Sequence, residues 1–444
     1  MDLTAKTAII GLGLTGQSCI AHIIKKNTNL VLFDTRNKLP DLDSISEKYP
    51  TLPISLGELP EDLYRCEKII VSPGVPLDLP ALAKAREAGV PIIGDIELFM
   101  QSVDKPVLVI TGTNGKSTVT DLLGTMLKRS AMNVAVGGNI GTPALDLLQQ
   151  NADIYVLELS SFQLESTFNL HFHAACILNV SPDHLDRHKS FEDYLRAKHR
   201  VYKQCKYAVA NREDSNTWCD TDVHPAIISY GFIPPTTPFD YGIKNDCLYV
   251  GSTKLCSIKE LALQGEHHYL NAMAAFALAQ TVDADREACI AALKIYKGLA
   301  HRCELILNQD SIAWINDSKA TNVGATLCAI RSNSKQYNRL ILLLGGDAKG
   351  QSFAELAEAI AGINVKVIVY GVDRGELMAS LKAAADISEV VTLDEAAKLA
   401  KENAEAGDAV LLSPACASFD QFDNFIARGN YFRSWVMTMK TTKA

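Results

Sequence analysis

The apolar run Val107-Leu108-Val109 leads at once into Ile110-Thr111-Gly112-Thr113-Asn114-Gly115-Lys116-Ser117-Thr118, and a helix-like stretch from Val119 to Lys128 follows. A strand, a glycine-bearing turn, a Lys-Ser pair and a helix start, in that order, build a cradle for a triphosphate. Backbone N–H groups at the helix start surround phosphate oxygens, Lys116 offsets their charge, and Ser117 offers a hydroxyl to magnesium. The usual form of this loop opens on a further glycine, where this chain has Ile110, so the short stretch Gly112 to Ser117 is a variant of the motif. It commits the middle of the chain to an α/β sheet with a nucleotide at its carboxyl edge.

A second glycine turn lies near the start. Residues 7–12 read as a short strand, Gly11-Leu12-Gly13-Leu14-Thr15-Gly16 as the turn, and Leu30 to Phe33 as the next strand, closing on Asp34. This is the opening of a mononucleotide-binding β-α-β unit, with N–H donors for a diphosphate and Asp34 or Thr35 as acceptors for a ribose or base. A strand from Lys68 to Val71 runs into Ser72-Pro73-Gly74, and a helix from Leu79 to Ala88 precedes the break at Asp104-Lys105-Pro106.

With 444 residues the chain exceeds one core, and three α/β regions are expected, at 1–104, 105–299 and 300–444. The outer two read as Rossmann-like. The central one reads as a parallel sheet of the phosphate-loop ATPase type, with the short β-like pieces of 211–258 forming an extra small sheet. The last region alternates strands at 312–315, 340–344, 365–370 and 409–412 with helices. A formal net charge of −8 leaves no broad positive field, so nucleic acid is not expected as a partner. Neither a signal segment nor a long apolar span is apparent, so a cytoplasmic protein without membrane insertion is expected. The eleven cysteines form no C-x-x-C pair and suggest no zinc site.

Polar residues follow the central strands. Glu158 ends the strand Ile154 to Leu157, where a nucleotide enzyme holds magnesium. Asn179 to Asp186 brings Asp183 and His184 to the next strand end, as a metal pair or a base. Lys198 is the anomaly, because it occupies the i+7 position of the apolar stripe Phe191, Tyr194, Leu195, Val201 and Tyr202. An inward lysine is costly unless paired or chemically altered; the alternative is a tail that snorkels past the stripe. In the last region, Asn316 to Asn322 and Gly345 to Lys349 put lysines and aspartates at strand ends, suited to an anionic ligand, and Arg302 precedes them in a linker.

Taken together, TGTNGKST (111–118), ELSSFQLE (158–165), the 179–186 block, HHYLNAMAA (267–275) and INDSKATN (315–322) resemble the Mur ligases, ATP-dependent amide-forming enzymes of peptidoglycan precursor synthesis. Within that family, GLGLTG (11–16), DTR (34–36), SPG (72–74) and SPACASFDQFDNF (413–425) look like the branch that joins D-glutamate to UDP-N-acetylmuramoyl-L-alanine. The resemblance implies ATP as co-substrate, two Mg2+ sites and a monomer. It implies that Gly112, Thr113, Asn114, Gly115, Lys116, Ser117 and Thr118 hold the ATP phosphates, with Asn271, Arg302 and Asp317 bordering the nucleotide. The metal ligands it implies are Ser117, Glu158, His184 and a carbamylated Lys198. Carbamylation converts a buried ammonium into an anion that can stand beside a divalent cation. Leu14, Thr15, Asp34, Thr35, Arg36 and Gly74 are implied to hold the uridine diphosphate, with Asn139 and Gln163 farther along that substrate. Lys319, Thr321, Lys349, Ser418, Phe419 and Phe425 are implied for D-glutamate, Phe419 being bulkier than the aliphatic residue the family pattern has there. Lys116, His184, Lys198 and Lys319 are the implied catalytic set. A folylpolyglutamate synthase, a nicotinamide-dependent dehydrogenase using the 7–34 unit, and a non-catalytic nucleotide sensor remain as alternatives from the residues alone.

Overall fold

The computed structural model describes residues 2–39, 41–183, 187–218 and 225–441. Two compact units divide the chain at 296/297. The first contains two sheets, the second one.

The first sheet comprises β1 (Thr7–Ile10), β2 (Leu30–Asp34), β3 (Ile54–Leu56), β4 (Lys68–Val71) and β5 (Ile92–Ile93), all parallel in the order β3-β2-β1-β4-β5. Chain order reverses at β1, and ligands of such sheets lie beyond the carboxyl ends at that reversal. The glycine turn after β1 and Ser72-Pro73-Gly74 after β4 meet there, with Ser72 Oγ donating to the Gly11 carbonyl at 2.7 Å. A Cβ at Gly16 would overlap the Gly11 carbonyl oxygen, so the helix Leu14–Ile23 could not approach the turn this closely with any other residue there.

The second sheet runs through β6 (Val107–Thr111), β7 (Val134–Gly138), β8 (Ile154–Glu158), β9 (Ala174–Ile177), β10 (Tyr207–Asn211), β11 (Ala226–Tyr230), β12 (Asp240–Lys244), β13 (Cys247–Val250) and β14 (Thr253–Ser257). Its order is β14-β13-β12-β11-β10-β9-β6-β8-β7, and only the β12-β13-β14 end is antiparallel. The expected extra small sheet is therefore not separate but extends the central one. The join is two residue pairs, Ser229 with Asp240 and Tyr230 with Tyr241, too short a link to leave a periodic signal. Strands β6 and β8 are buried throughout and read as unbroken apolar runs because helices cover both faces.

After the loop, helix Lys116–Arg129 buries Val119, Leu122, Leu123, Met126 and Leu127, one face at i, i+3, i+4, i+7 and i+8. Each such side chain contributes about 1.5–3 kcal/mol on burial, so this helix anchors the loop that precedes it. Lys128 and Arg129 in its last turn face the negative end of the helix dipole. One hydrophobic cluster includes Ile9 and Leu32 together with Val109 and Tyr155, so the first two sheets share a core.

In the second unit β15 (Glu304–Gln309), β16 (Ile312–Asn316), β17 (Arg339–Gly345), β18 (Val365–Tyr370), β19 (Asp386–Glu389) and β20 (Asp408–Leu412) take the order β15-β16-β20-β17-β18-β19. All pairs are parallel except β15 with β16. Edge strands β15 and β19 escape sequence reading because half or more of their residues stay in contact with solvent and polar. Among the described residues no helix is long and apolar enough to cross a membrane.

Candidate active site

Sheet register sets the site. Ile110 pairs with Glu158 across β6 and β8, and Gly138 of β7 pairs with the same Glu158. The place of the missing glycine is thus a buried strand position, and the loop opens only at Gly112. Gly112 and Gly115 have φ of 144° and 82°, a region that excludes most side chains. A Cβ at Gly115 would also sit 2.9 Å from Asn271 Oδ1, which puts the Asn271 side chain, from helix Glu266–Gln280, over the loop.

Asn179, just past β9, pins the loop. Its carbonyl accepts from Thr113 N–H at 2.9 Å, its Oδ1 from Asn114 N–H at 2.8 Å, and its Nδ2 donates to the Asn114 carbonyl at 3.1 Å. Lys116 Nζ lies back over the turn, donating to the carbonyls of Gly112 at 2.9 Å and Thr113 at 2.8 Å. Ser117 is buried in the first helical turn, and the Thr118 carbonyl accepts from Tyr296 at 3.3 Å.

Lys198 sits in helix Phe191–His199, only 2% exposed, with Nζ donating to the same Gly112 carbonyl at 2.8 Å and lying 4.5 Å from the Tyr194 ring centroid. It does not snorkel. Burial, and then the charge of Lys116, pull its pKa down to about 6, against the opposing charges of Asp183 and Glu158. Its burial favours the uncharged amine over the ammonium. Glu158, also 2% exposed, accepts from Asn139 Nδ2 at 2.7 Å on Oε1, while its buried Oε2 has no hydrogen-bond partner among the described residues. An unsatisfied buried carboxylate oxygen is costly without a cation, so the donor set fits a divalent metal. His184 lies outside the described residues. Among the described residues no three His, Cys, Asp or Glu side chains cluster as a metal site.

Leu14, Thr15, Asp34, Thr35, Arg36, Gly74, Asn139 and Gln163 all line one cavity of about 550 Å³ at the reversal of the first sheet. Leu14 is largely exposed there, an apolar surface for a flat ring. Asp34 differs from expectation. Its oxygens already accept from Leu12 N–H at 2.7 Å, Arg36 N–H at 3.0 Å, and Arg36 Nε and a guanidinium NH2, both at 2.8 Å. Burial opposes its charge, but these bonds outweigh it and lower the carboxyl to about 2. It holds the turn and Arg36 in place rather than offering a vacant acceptor.

In the second unit Asp317 follows β16, buried, with Oδ2 accepting from Ser413 Oγ at 2.7 Å and Oδ1 from Cys303 N–H at 3.1 Å. Burial raises it to about 7, against those bonds and the neighbouring charge of Arg302. Lys319 Nζ lies 4.1 Å from the Phe425 ring centroid, and Lys349 Nζ 5.0 Å from that of Phe419. Thr321 N–H donates to the Lys319 carbonyl at 2.9 Å, and Ser418 is buried in the loop that also carries Phe419. Sequence reading missed Arg428. Its buried guanidinium donates to Ser318 Oγ and its carbonyl, both at 3.0 Å, and to the carbonyls of Cys416 at 3.1 Å and Gly345 at 3.4 Å. One side chain thereby ties together the loops after β16, β17 and β20. A lone arginine in a C-terminal helix carries no sequence signal for this.

A parallel sheet with the phosphate-loop sequence, a buried carboxylate on the adjoining strand and a cavity at its edge are the features of a nucleotide-dependent enzyme. Residues 5–94 match the Mur ligase MurD-like N-terminal domain, 110–279 the Mur ligase middle domain, and 301–416 the Mur ligase glutamate ligase domain. The UDP-N-acetylmuramoylalanine--D-glutamate ligase of Marinobacter nauticus is 42% identical over 97% of this chain and 98% of its own. That of Vibrio campbellii is 41% identical over 96% of each. The UDP-N-acetylmuramate-alanine ligase of Thermotoga maritima has the same fold, with a TM-score of 0.58 at 19% identity over 98% of this chain and 99% of its own. The chain belongs to the Mur ligase family, and the Marinobacter and Vibrio relatives are both D-glutamate ligases by name.

Proposed function

We propose that the protein is an ATP-dependent ligase that adds D-glutamate to UDP-N-acetylmuramoyl-L-alanine in peptidoglycan precursor synthesis. The observation that carries this reading is Asn139, which lines the nucleotide cavity and donates to Glu158 beside the phosphate loop. A substrate held by its uridine diphosphate in the cavity can thus extend its far end toward the ATP phosphates.

Thr113 to Thr118 hold those phosphates by backbone N–H groups, and Lys116 offsets their charge. An oxygen of the alanine carboxylate attacks the γ-phosphorus, and the bond to ADP breaks, giving an acyl phosphate. The D-glutamate nitrogen then attacks the acyl carbon, phosphate leaves, and the nitrogen loses a proton to yield the amide. Ser117, Glu158, His184 and Lys198, if carbamylated, would hold magnesium, which when bound would supply positive charge against the phosphate oxygens. The low pKa of Lys198 supports carbamylation, because the neutral amine is the form that adds to carbon dioxide, forming the N–C bond and releasing one proton. Lys319, Thr321, Lys349, Ser418, Phe419 and Phe425 bind D-glutamate, and Asn271, beside the phosphate loop, borders the nucleotide.

The test is phosphate release from the purified protein with ATP, magnesium and both substrates. Release is expected with D-glutamate and the muramyl nucleotide, and not with L-glutamate or a folate in their place. No release with the full set would defeat the reading.

A further inference from the structure

One buried carboxylate plays no part in that mechanism. Asp95 follows β5 as the first residue of helix Asp95–Met100, and its Oδ2 accepts from Gln163 Nε2 at 3.0 Å. Gln163 lines the nucleotide cavity from the other side, in the short helix Ser161–Glu165 after β8. The rest of its amide is also engaged, since Oε1 accepts from Ser160 N–H at 3.1 Å. Ser160 Oγ in turn accepts from the Gln163 N–H at 3.2 Å, completing a reciprocal helix cap. With its oxygen turned to Ser160 and one N–H to Asp95, the amide has a single group left for the cavity, the second N–H of Nε2.

The residues on either side of Asp95 are tied to the segment after β8. Gly94 N–H donates to the Ser166 carbonyl at 2.9 Å, and a Cβ at Gly94 would clash with Ser166 Oγ. Glu97 accepts from the N–H groups of Phe168 and Asn169, both at 2.7 Å. The backbone that carries Asp95 is therefore fixed at the seam between the first two sheets, while its Oδ1 has no hydrogen-bond partner among the described residues.

We infer that Asp95 is a positioning residue for the nucleotide substrate: it fixes the Gln163 amide so that the cavity meets an N–H donor and recognises an acceptor oxygen of that substrate. Without Asp95 only the bonds of Oε1 to Ser160 would hold the amide, and Nε2 would lose its one side-chain anchor. The inference rests on the function proposed above.

Wild-type turnover is measured first, and its absence would count against that function and not against Asp95. Binding of UDP-N-acetylmuramoyl-L-alanine is then followed by calorimetry alongside KM. Asp95→Ala is expected to weaken binding of this substrate about tenfold, as for one lost oriented hydrogen bond, with KM for ATP and D-glutamate unchanged. In a Gln163→Ala background the same change should add nothing further. The exchange Asp95→Asn with Gln163→Glu restores an N–H···O bond with its direction reversed. It is expected to recover thermal stability and not substrate affinity, and it keeps the test open if Asp95→Ala fails to fold. Unchanged affinity in a folded Asp95→Ala protein, additive losses with Gln163→Ala, or full affinity in the exchanged pair would each overturn the inference.

Discussion

Asp34 and Glu158 are a matched pair in position and opposites in circumstance. Both close a parallel strand beside a glycine turn, and both are 2% exposed. Asp34 accepts from backbone and guanidinium donors on both oxygens, whereas Glu158 has one oxygen on Asn139 and the other without a partner among the described residues. A satisfied carboxylate fixes geometry. An unsatisfied one in the same kind of place requires a cation to be tolerable.

Substitutions at the two strand ends separate these roles most sharply. Glu158→Gln is expected to lower kcat by about a thousandfold, the scale of losing a principal charge-stabilising group, with thermal stability at least equal to wild type. A loss of stability without loss of kcat would make Glu158 another Asp34. Next in size is Asn139→Ala, which removes the donor behind Glu158 Oε1; steady-state assays should give roughly a 10–100-fold fall in activity, as for a residue that orients a metal ligand.

Asp34→Ala should act on folding and binding instead. It strands the buried Leu12 N–H at a cost of about 1–3 kcal/mol in denaturant unfolding, and raises KM for the muramyl nucleotide more than it changes kcat. The sign with pH follows from the lowered pKa. The folded carboxyl titrates near 2 rather than at 3.8, so its stabilisation is complete above that ordinary value and is lost as pH falls through about 2. Acid unfolding of wild type should show this loss and that of Asp34→Ala should lack it. The smallest effect belongs to the exposed side of the second unit. Phe419 is 64% exposed with Lys349 over its ring, so Phe419→Leu should raise KM for D-glutamate about two- to fivefold, the scale of an exposed cation–π contact.

Much of this was readable along the chain. The loop from Gly112 to Ser117 and its helix are local patterns, and the 3.6-residue period of Val119 to Leu127 left little choice of face. Lys198 stood out for the same reason, as a charge on an apolar stripe, and it is indeed buried. The two glycine turns and the polar strand ends each named their own residues. Relations between segments were less legible. The continuity of the central sheet through β11 and β12 depends on two residue pairs, and the grip of Arg428 on three loops joins residues up to 110 positions apart.

By itself the sequence determined which segments become the buried strands and the helix after the phosphate loop, and which polar side chains stand at strand ends, because periodicity and turn chemistry act over a few residues. Only the tertiary structure decided what those side chains became. It left Asp34 satisfied and Glu158 open, lowered the pKa of Lys198 by burying it beside Lys116, and set Gln163 against Asp95. Solvation and hydrogen bonding depend on neighbours brought from distant parts of the chain, and those neighbours are chosen by packing.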